Sequence, residues 1–299
     1  MALASEPQAP APTPLLAIAA CAATVVLGIA ACARGRSEAH ADPATARIVT
    51  VGGAVTETVF ALGAGERVIA VDSSSVYPDI ATRRTIVGYQ RTLAAEGILA
   101  LEPTLVVAAA EAGPASTLEA LRRAGVRVEV MPAADSIATT GARIRAIGAA
   151  IGSADTAATL ATSVEAAATR ATEVAPRTKR RVLFIYARGG GTTMVSGKGT
   201  PAAAMLTLAG AESAITAWDG FRPLTAEAVV EAAPDVVLLP SRGLDSLGGI
   251  DGVLALPGLA ATPAGAARRV VALDDQLLLG FGPRLPAAID ELARALAAP

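Results

Sequence analysis

One phrase occurs twice in this chain, 131 residues apart. The first copy reads Ala95-Glu96-Gly97-Ile98-Leu99-Ala100-Leu101-Glu102-Pro103-Thr104-Leu105-Val106-Val107-Ala108, and the second Ala226-Glu227-Ala228-Val229-Val230-Glu231-Ala232-Ala233-Pro234-Asp235-Val236-Val237-Leu238-Leu239. In both, a Glu stands seven residues before a Pro, and the Pro is followed by a polar residue and an aliphatic run. Proline has no N–H to donate and its ring collides with the preceding turn, so it ends a helix. A short aliphatic run reads as a buried strand. Each copy therefore predicts a short helix, a proline break and a strand. Two copies predict two similar α/β lobes, with a crevice between them in which something can be held.

The remaining pattern agrees. Ile48–Val51 predicts a strand ending at Gly52-Gly53, and Thr56–Leu62 a helix stopped by Gly63 and Gly65. Val68–Val71 is the next strand, and Arg122–Val130 repeats the order of helix end, Gly125 and strand. Strands alternating with helices argue a parallel sheet. From Ser136 to Ala175 strand signals disappear, and Asp155–Val174 predicts one long helix ended by Pro176. Arg181–Tyr186 opens a second α/β unit, with strands at Val236–Leu239 and Val270–Leu273 and a last helix at Pro286–Leu296. The predicted fold class is α/β, two Rossmann-like lobes with parallel sheets joined by one long, stiff helix. Residues 1–41 are a leader and linker, 42–150 the N-terminal lobe, 151–177 the connecting helix and 178–299 the C-terminal lobe.

Leu15–Ala33 is apolar and uncharged, as in a signal h-region or a membrane span. Ile29-Ala30-Ala31-Cys32 has the lipoprotein pattern, and Ala39-His40-Ala41 is an A-x-A cleavage site. Cys32 fits better, because Arg34 and Arg36 separate the A-x-A site from the apolar run. No Lys or Arg precedes Leu15, which departs from an ordinary signal, and an uncleaved anchor is the third reading. All three predict that residues 42–299 lie outside the cytoplasmic membrane, periplasmic and lipid-anchored through Cys32 in the preferred version.

Both cysteines, Cys21 and Cys32, lie in the leader, so no disulfide or thiol chemistry is expected in the fold. A net charge of −2 points to no nucleic-acid partner. The single histidine is His40, which excludes a multi-His metal site and a Ser-His-Asp triad. A metal held by this fold needs oxygen donors, or a cofactor that brings its own ligands. Tyrosine phenolate is such a donor and a known axial ligand to haem.

Two places carry that chemistry. In Val87-Gly88-Tyr89-Gln90-Arg91, Gly88 frees the backbone beside Tyr89, and the Arg91 cation can favour phenolate or pair with an acidic ligand edge. An ordinary half-buried Tyr beside a solvated Arg fits the same residues. Thr225 predicts an N-cap that puts Glu227 in a first helical turn, with Glu96 in the equivalent place. Such a Glu complements the helix dipole. The matched pair equally suits docking onto a two-fold symmetric partner with basic pockets.

Gly52-Gly53-Ala54-Val55-Thr56-Glu57 with Ala61-Leu62-Gly63-Ala64-Gly65 resembles the opening of substrate-binding proteins that serve ABC importers of siderophores, cobalamin and haem. Val87-Gly88-Tyr89-Gln90-Arg91, running into Leu93-Ala94-Ala95-Glu96-Gly97, is similar to the haem-binding branch, as are Gly197-Lys198-Gly199-Thr200, Leu208-Ala209-Gly210, Gly248-Gly249-Ile250-Asp251-Gly252 and Gly282-Pro283-Arg284. The resemblance covers residues 46–297. It implies a class III periplasmic binding protein, a monomer and not an enzyme, that captures ferric haem b as transported ligand in the interlobe cleft. It implies Tyr89 as axial ligand to the haem iron, Arg91 near the propionates, and Arg242, which follows a strand, as a propionate or Tyr partner from the second lobe; Tyr186, at the end of that lobe's first strand, is a second contact expected from its position. It further implies that Glu96 and Glu227 dock onto arginines of an ABC permease dimer, whose ATPase drives import. A ferric siderophore or cobalamin carrier is the alternative on the same scaffold, disfavoured by the single Trp218. A tetrapyrrole chelatase-like enzyme is the alternative of another class, disfavoured by the scarcity of His.

Overall fold

Short strands build the first lobe, the central ones aliphatic and buried on both faces. The computed structural model describes residues 45–187 and 191–298, so Cys32, the A-x-A site and the rest of the leader lie outside the described residues. Strands β1 (Ile48–Val51), β2 (Val68–Val71), β3 (Thr85–Ile86), β4 (Leu105–Ala108) and β5 (Arg127–Val130) alternate with helices α1 (Gly53–Ala61), α2 (Ala95–Leu99) and α3 (Ala115–Arg123). They form a sheet ordered β3-β2-β1-β4-β5, parallel throughout. Ile48, Leu105 and Val107 point to one apolar cluster, and Val49, Val51, Val106 and Ala108 to the other. Double burial is why these strands read as continuous apolar runs rather than alternating ones.

The connecting region is two helices, α4 (Ile137–Ile151) and α5 (Ala154–Val174). Ser136 and Thr139 close a capping box at the head of α4, and Gly152 turns the chain at φ 76°. Side by side the helices meet closely, with Gly148 against Ala157, and Arg145 forms a bidentate pair with Glu165. The sequence predicted the long helix to within a residue but no helix over α4, whose Thr and Gly content dilutes the apolar period.

The second lobe comprises β6 (Arg181–Tyr186), β7 (Met194–Ser196), α6 (Pro201–Leu208), β8 (Glu212–Ser213), β9 (Phe221–Pro223), α7 (Ala226–Ala232), β10 (Val236–Pro240), α8 (Ser241–Ser246), α9 (Gly249–Leu254), α10 (Pro263–Ala266), β11 (Val270–Leu273), α11 (Asp275–Leu279) and α12 (Leu285–Ala297). Its strand order is β11-β10-β6-β7-β9, with β8 beside β6. The expectation of a second purely parallel sheet is corrected: β7 runs antiparallel to both β6 and β9. Only seven residues separate Tyr186 from Met194, fewer than the dozen or so that a parallel crossover needs. One apolar cluster joins the lobes, from Val55 and Ile147 through Ala157 and Val164 to Phe184 and Leu292. No helix among the described residues is long and apolar enough to cross a membrane.

Candidate functional site

Ligands of parallel sheets bind beyond the carboxyl ends of the strands, where the strand order reverses. In the first sheet that point lies between β1 and β4. The loop after β3 crosses it. The Val87 N–H donates to the Val71 carbonyl at the end of β2 (2.9 Å), and the Ser73 N–H donates to the Gly88 carbonyl (2.8 Å). On the far side, the Gly113 N–H after β4 donates to the Gln90 carbonyl (2.8 Å). Tyr89 thus stands half-buried between two pinned carbonyls, over the switch point. Gly52, at φ 103°, makes this closure possible. A Cβ there would lie 2.6 Å from the Ala109 Cβ and 3.2 Å from Gln90 Oε1.

Asp72 organises the same edge, and the sequence reading missed it. It is 1 % exposed. Its Oδ1 accepts from the Gly52 N–H (2.8 Å) and Ser75 Oγ (2.7 Å), and its Oδ2 from the Ser74 N–H (2.8 Å) and Ser74 Oγ (2.6 Å). Ser74 and Ser75 supply three of these four bonds and the Gly52 backbone the fourth. Thr56 links Ser75 to Thr50 through two hydroxyl bonds of 2.6 and 2.7 Å. Asp72 therefore holds Gly52 and the Ser73 turn, the two supports on which the Tyr89 loop rests.

Arg91 lies two residues on in that loop, exposed, and among the described residues its guanidinium makes no hydrogen bond or ion pair. Tyr186 and Arg242 come to the corresponding edge of the second sheet, at the carboxyl ends of adjacent strands β6 and β10. Tyr186 is half-buried, its ring 6.4 Å from that of Phe221 in an edge-on contact. Arg242 is exposed in the first turn of α8, and its backbone N–H donates to Asp275 Oδ1 (3.2 Å). The two carboxyl edges approach each other where Gln276 Nε2, just past β11, donates to the Gly53 carbonyl, just past β1 (3.0 Å). Tyr89 and Arg91 therefore sit on one edge of this crevice, and Tyr186 and Arg242 on the other.

Glu96 and Glu227 are each the second residue of a helix, α2 and α7, and both are exposed. Both helices cross between parallel strands, from β3 to β4 and from β9 to β10, so each starts at a carboxyl edge. Each lobe thus carries one exposed carboxylate at the carboxyl edge of its own sheet.

Charged residues that the sequence reading quoted without a role, or passed over, join the lobes: Glu57 pairs with Arg284 at 3.0 Å, and Arg143 reaches two carbonyls of the second lobe. Burial pushes the Arg143 guanidinium below its usual pKa, with the charges of Glu111 and Glu57 pulling the other way. No group of three or more His, Cys, Asp or Glu able to hold a metal occurs among the described residues. A cavity of about 890 Å³ lies elsewhere, between Asp135, Arg177, Lys198 and α6, and none of the predicted site residues lines it.

Comparison with known proteins agrees with this architecture. Residues 48–277 match the family described as periplasmic binding protein. The periplasmic heme-binding protein RhuT from Roseiflexus sp. RS-1, solved in apo form, is 42% identical, with a TM-score of 0.82 over 84% of this chain and 97% of that one. The periplasmic heme-binding protein BhuT, solved with two hemes, is 43% identical, with a TM-score of 0.79 over the same shares. YvrC of Bacillus subtilis (strain 168), an uncharacterized ABC transporter substrate-binding lipoprotein, is 27% identical over 260 residues, 84% of this chain and 79% of its own length.

Proposed function

The chain belongs to the periplasmic binding protein family, and from that premise we propose that it captures ferric haem b outside the cytoplasmic membrane and delivers it to an ABC permease. The single observation that carries this reading is the Tyr89 loop, laid across the sheet switch point with its carbonyls pinned on both sides. A donor that must meet iron at a fixed distance needs such support. Tyr89 supplies phenolate to the iron. Arg91, exposed and without a described partner, meets a propionate. Tyr186 and Arg242 close over the macrocycle from the second lobe. The similarity to RhuT and BhuT supports haem over other cargo. Glu96 and Glu227 dock onto the permease dimer, whose ATPase supplies the work of release, and Cys32 carries the lipid that keeps the monomer at the membrane. The chain binds and transfers its cargo without converting it.

The test is an absorption titration of the purified full chain with hemin, beside Tyr89→Ala. The expected result is a saturable Soret change with a tyrosinate-to-iron charge-transfer band that the variant loses. If hemin gives no saturable change while cyanocobalamin or a ferric siderophore quenches Trp218 fluorescence, the chain carries that ligand instead. Steady insertion of metal into porphyrin would make it an enzyme.

A further inference from the structure

Two buried side chains, one on the first lobe and one on the connecting helix α4, grip one segment of the second lobe. Glu57 on α1 is 4 % exposed. Its Oε2 accepts from Gln276 Nε2 (2.8 Å) and Arg284 Nη2 (3.0 Å), and its Oε1 from the Arg284 backbone N–H (3.1 Å). Arg143 on α4 is 7 % exposed. Its Nη2 donates to the carbonyls of Gly280 (2.5 Å) and Phe281 (2.7 Å). The gripped segment, Gln276–Arg284, runs from α11 to the head of α12. Tyr77 closes its outer side, with the Arg284 guanidinium 3.6 Å from the ring centroid. Within the segment Phe281, 1 % exposed, is held at φ 50°. A buried aromatic residue keeps that conformation only where its surroundings impose it.

The clamp touches both walls of the crevice. On the first lobe Glu57 and the Gly53 carbonyl belong to the segment that follows Gly52, under the Tyr89 loop. On the second, Gln276 follows Asp275, whose carboxylate accepts the Arg242 N–H. Hydrogen bonds fail within a fraction of an ångström, whereas apolar contacts such as those of α4, α5 and α12 tolerate sliding. The polar grip, not the apolar seam, is therefore what fixes the spacing of the edges. We propose that Glu57 and Arg143 are positioning residues, forming an interlobe clamp that sets the width of the crevice and hence the rate at which a bound macrocycle leaves. The rate depends on the haem reading above, but the width does not.

The fold carries no cysteine, since both lie in the leader. In the full chain with Cys21 and Cys32 replaced by Ser, spin labels at Ser116→Cys and Asp245→Cys report the interlobe distance by pulsed dipolar spectroscopy without ligand. Glu57→Gln puts a donor against two donors, and Arg143→Met removes both carbonyl contacts. Each is expected to lengthen or broaden the distance distribution. Each should also speed hemin transfer to apomyoglobin about tenfold, the scale of losing a charge-assisted hydrogen bond, while the tyrosinate band stays unchanged. Distributions that overlay the parent's in both variants overturn the clamp. A parent that binds no hemin defeats the haem reading, while the distances still decide the clamp. If either variant fails to fold by circular dichroism, Arg284→Met, at a partly exposed residue, takes its place with the same two outcomes.

Discussion

In the first lobe α2 leads through Pro103 into β4, and in the second α7 leads through Pro234 into β10. Both strands begin nine residues after the Glu. In both, the residue before proline turns left-handed, Glu102 at φ 49° and Ala233 at φ 39°. A residue before proline is disfavoured in the right-handed helical region. A non-glycine residue in the left-handed one costs about 1–2 kcal/mol, and both copies accept it. The lobes differ in what precedes the helix. In the first it is the loop that carries Tyr89 over the sheet. In the second it is β9, edge strand of an antiparallel extension, and no second loop of that kind exists among the described residues. The exposed acidic helix start is duplicated and the loop that carries Tyr89 is not.

The sharpest break of that comparison lies in the tyrosines. Tyr89→Ala should weaken hemin binding by more than about 100-fold, since even the groups that orient a metal ligand are worth 10- to 100-fold. Tyr186→Phe, which keeps the ring against Phe221, should stay within roughly threefold, as a lost hydroxyl contact would give. Equal losses from a spectrophotometric titration of both would mean that the lobes share the ligand evenly.

Asp72→Asn tests the support of the Tyr89 loop. It sets an amide donor against donors now bonded to the carboxylate. We expect a loss of about 2–3 kcal/mol in chemical denaturation and a broadened tyrosinate band. An unchanged band with lowered stability would confine Asp72 to holding the fold.

The symmetric half of the comparison is tested by Glu96→Lys and Glu227→Lys. Each should cut hemin uptake by reconstituted transporter about tenfold, the scale of a misplaced interface charge, and leave hemin affinity untouched. If one reversal abolishes uptake and the other does nothing, the duplicated helix starts are not a docking pair.

How much of this was legible follows from how local each feature is. The repeat, β1, β2, β4 and β10 declare themselves because a doubly buried parallel strand is a contiguous apolar run, and the half-buried edge strand β11 does so by its aliphatic residues alone. Strands of two or three residues, such as β3, β7, β8 and β9, carry too few side chains to show a period. The helix expected from Thr56 begins at Gly53, since Gly52 already makes the turn that aims the chain into α1. Tyr89 is conspicuous in sequence beside Gly88, but the path of its loop rests on Ser73 and Gly113, each separated from it by well over a dozen residues. Glu57 stands inside a quoted motif, yet its partners lie 219 and 227 residues away. No local pattern encodes a buried carboxylate whose donors come from the other end of the chain.

The smallest difference between the copies is the helix cap. Thr225 accepts the Ala228 N–H on its Oγ1 at 3.2 Å, whereas Ala94, in the equivalent place, has no side chain to do so. The backbones are alike, extended at φ −125°, ψ 150° for Thr225 and φ −109°, ψ 126° for Ala94. Ala94 is exposed, so a hydroxyl there meets no steric obstacle. Thr225→Ala should therefore lower stability by about 1 kcal/mol and Ala94→Ser raise it by a similar amount, read as opposite shifts in chemical denaturation. A gain from Ala94→Ser would mean that the first helix start is held below its attainable stability, beside the Tyr89 loop. Without a gain, the buried neighbours Leu93 and Ile98 already fix that turn, and the two copies are equivalent in stability as well as in shape.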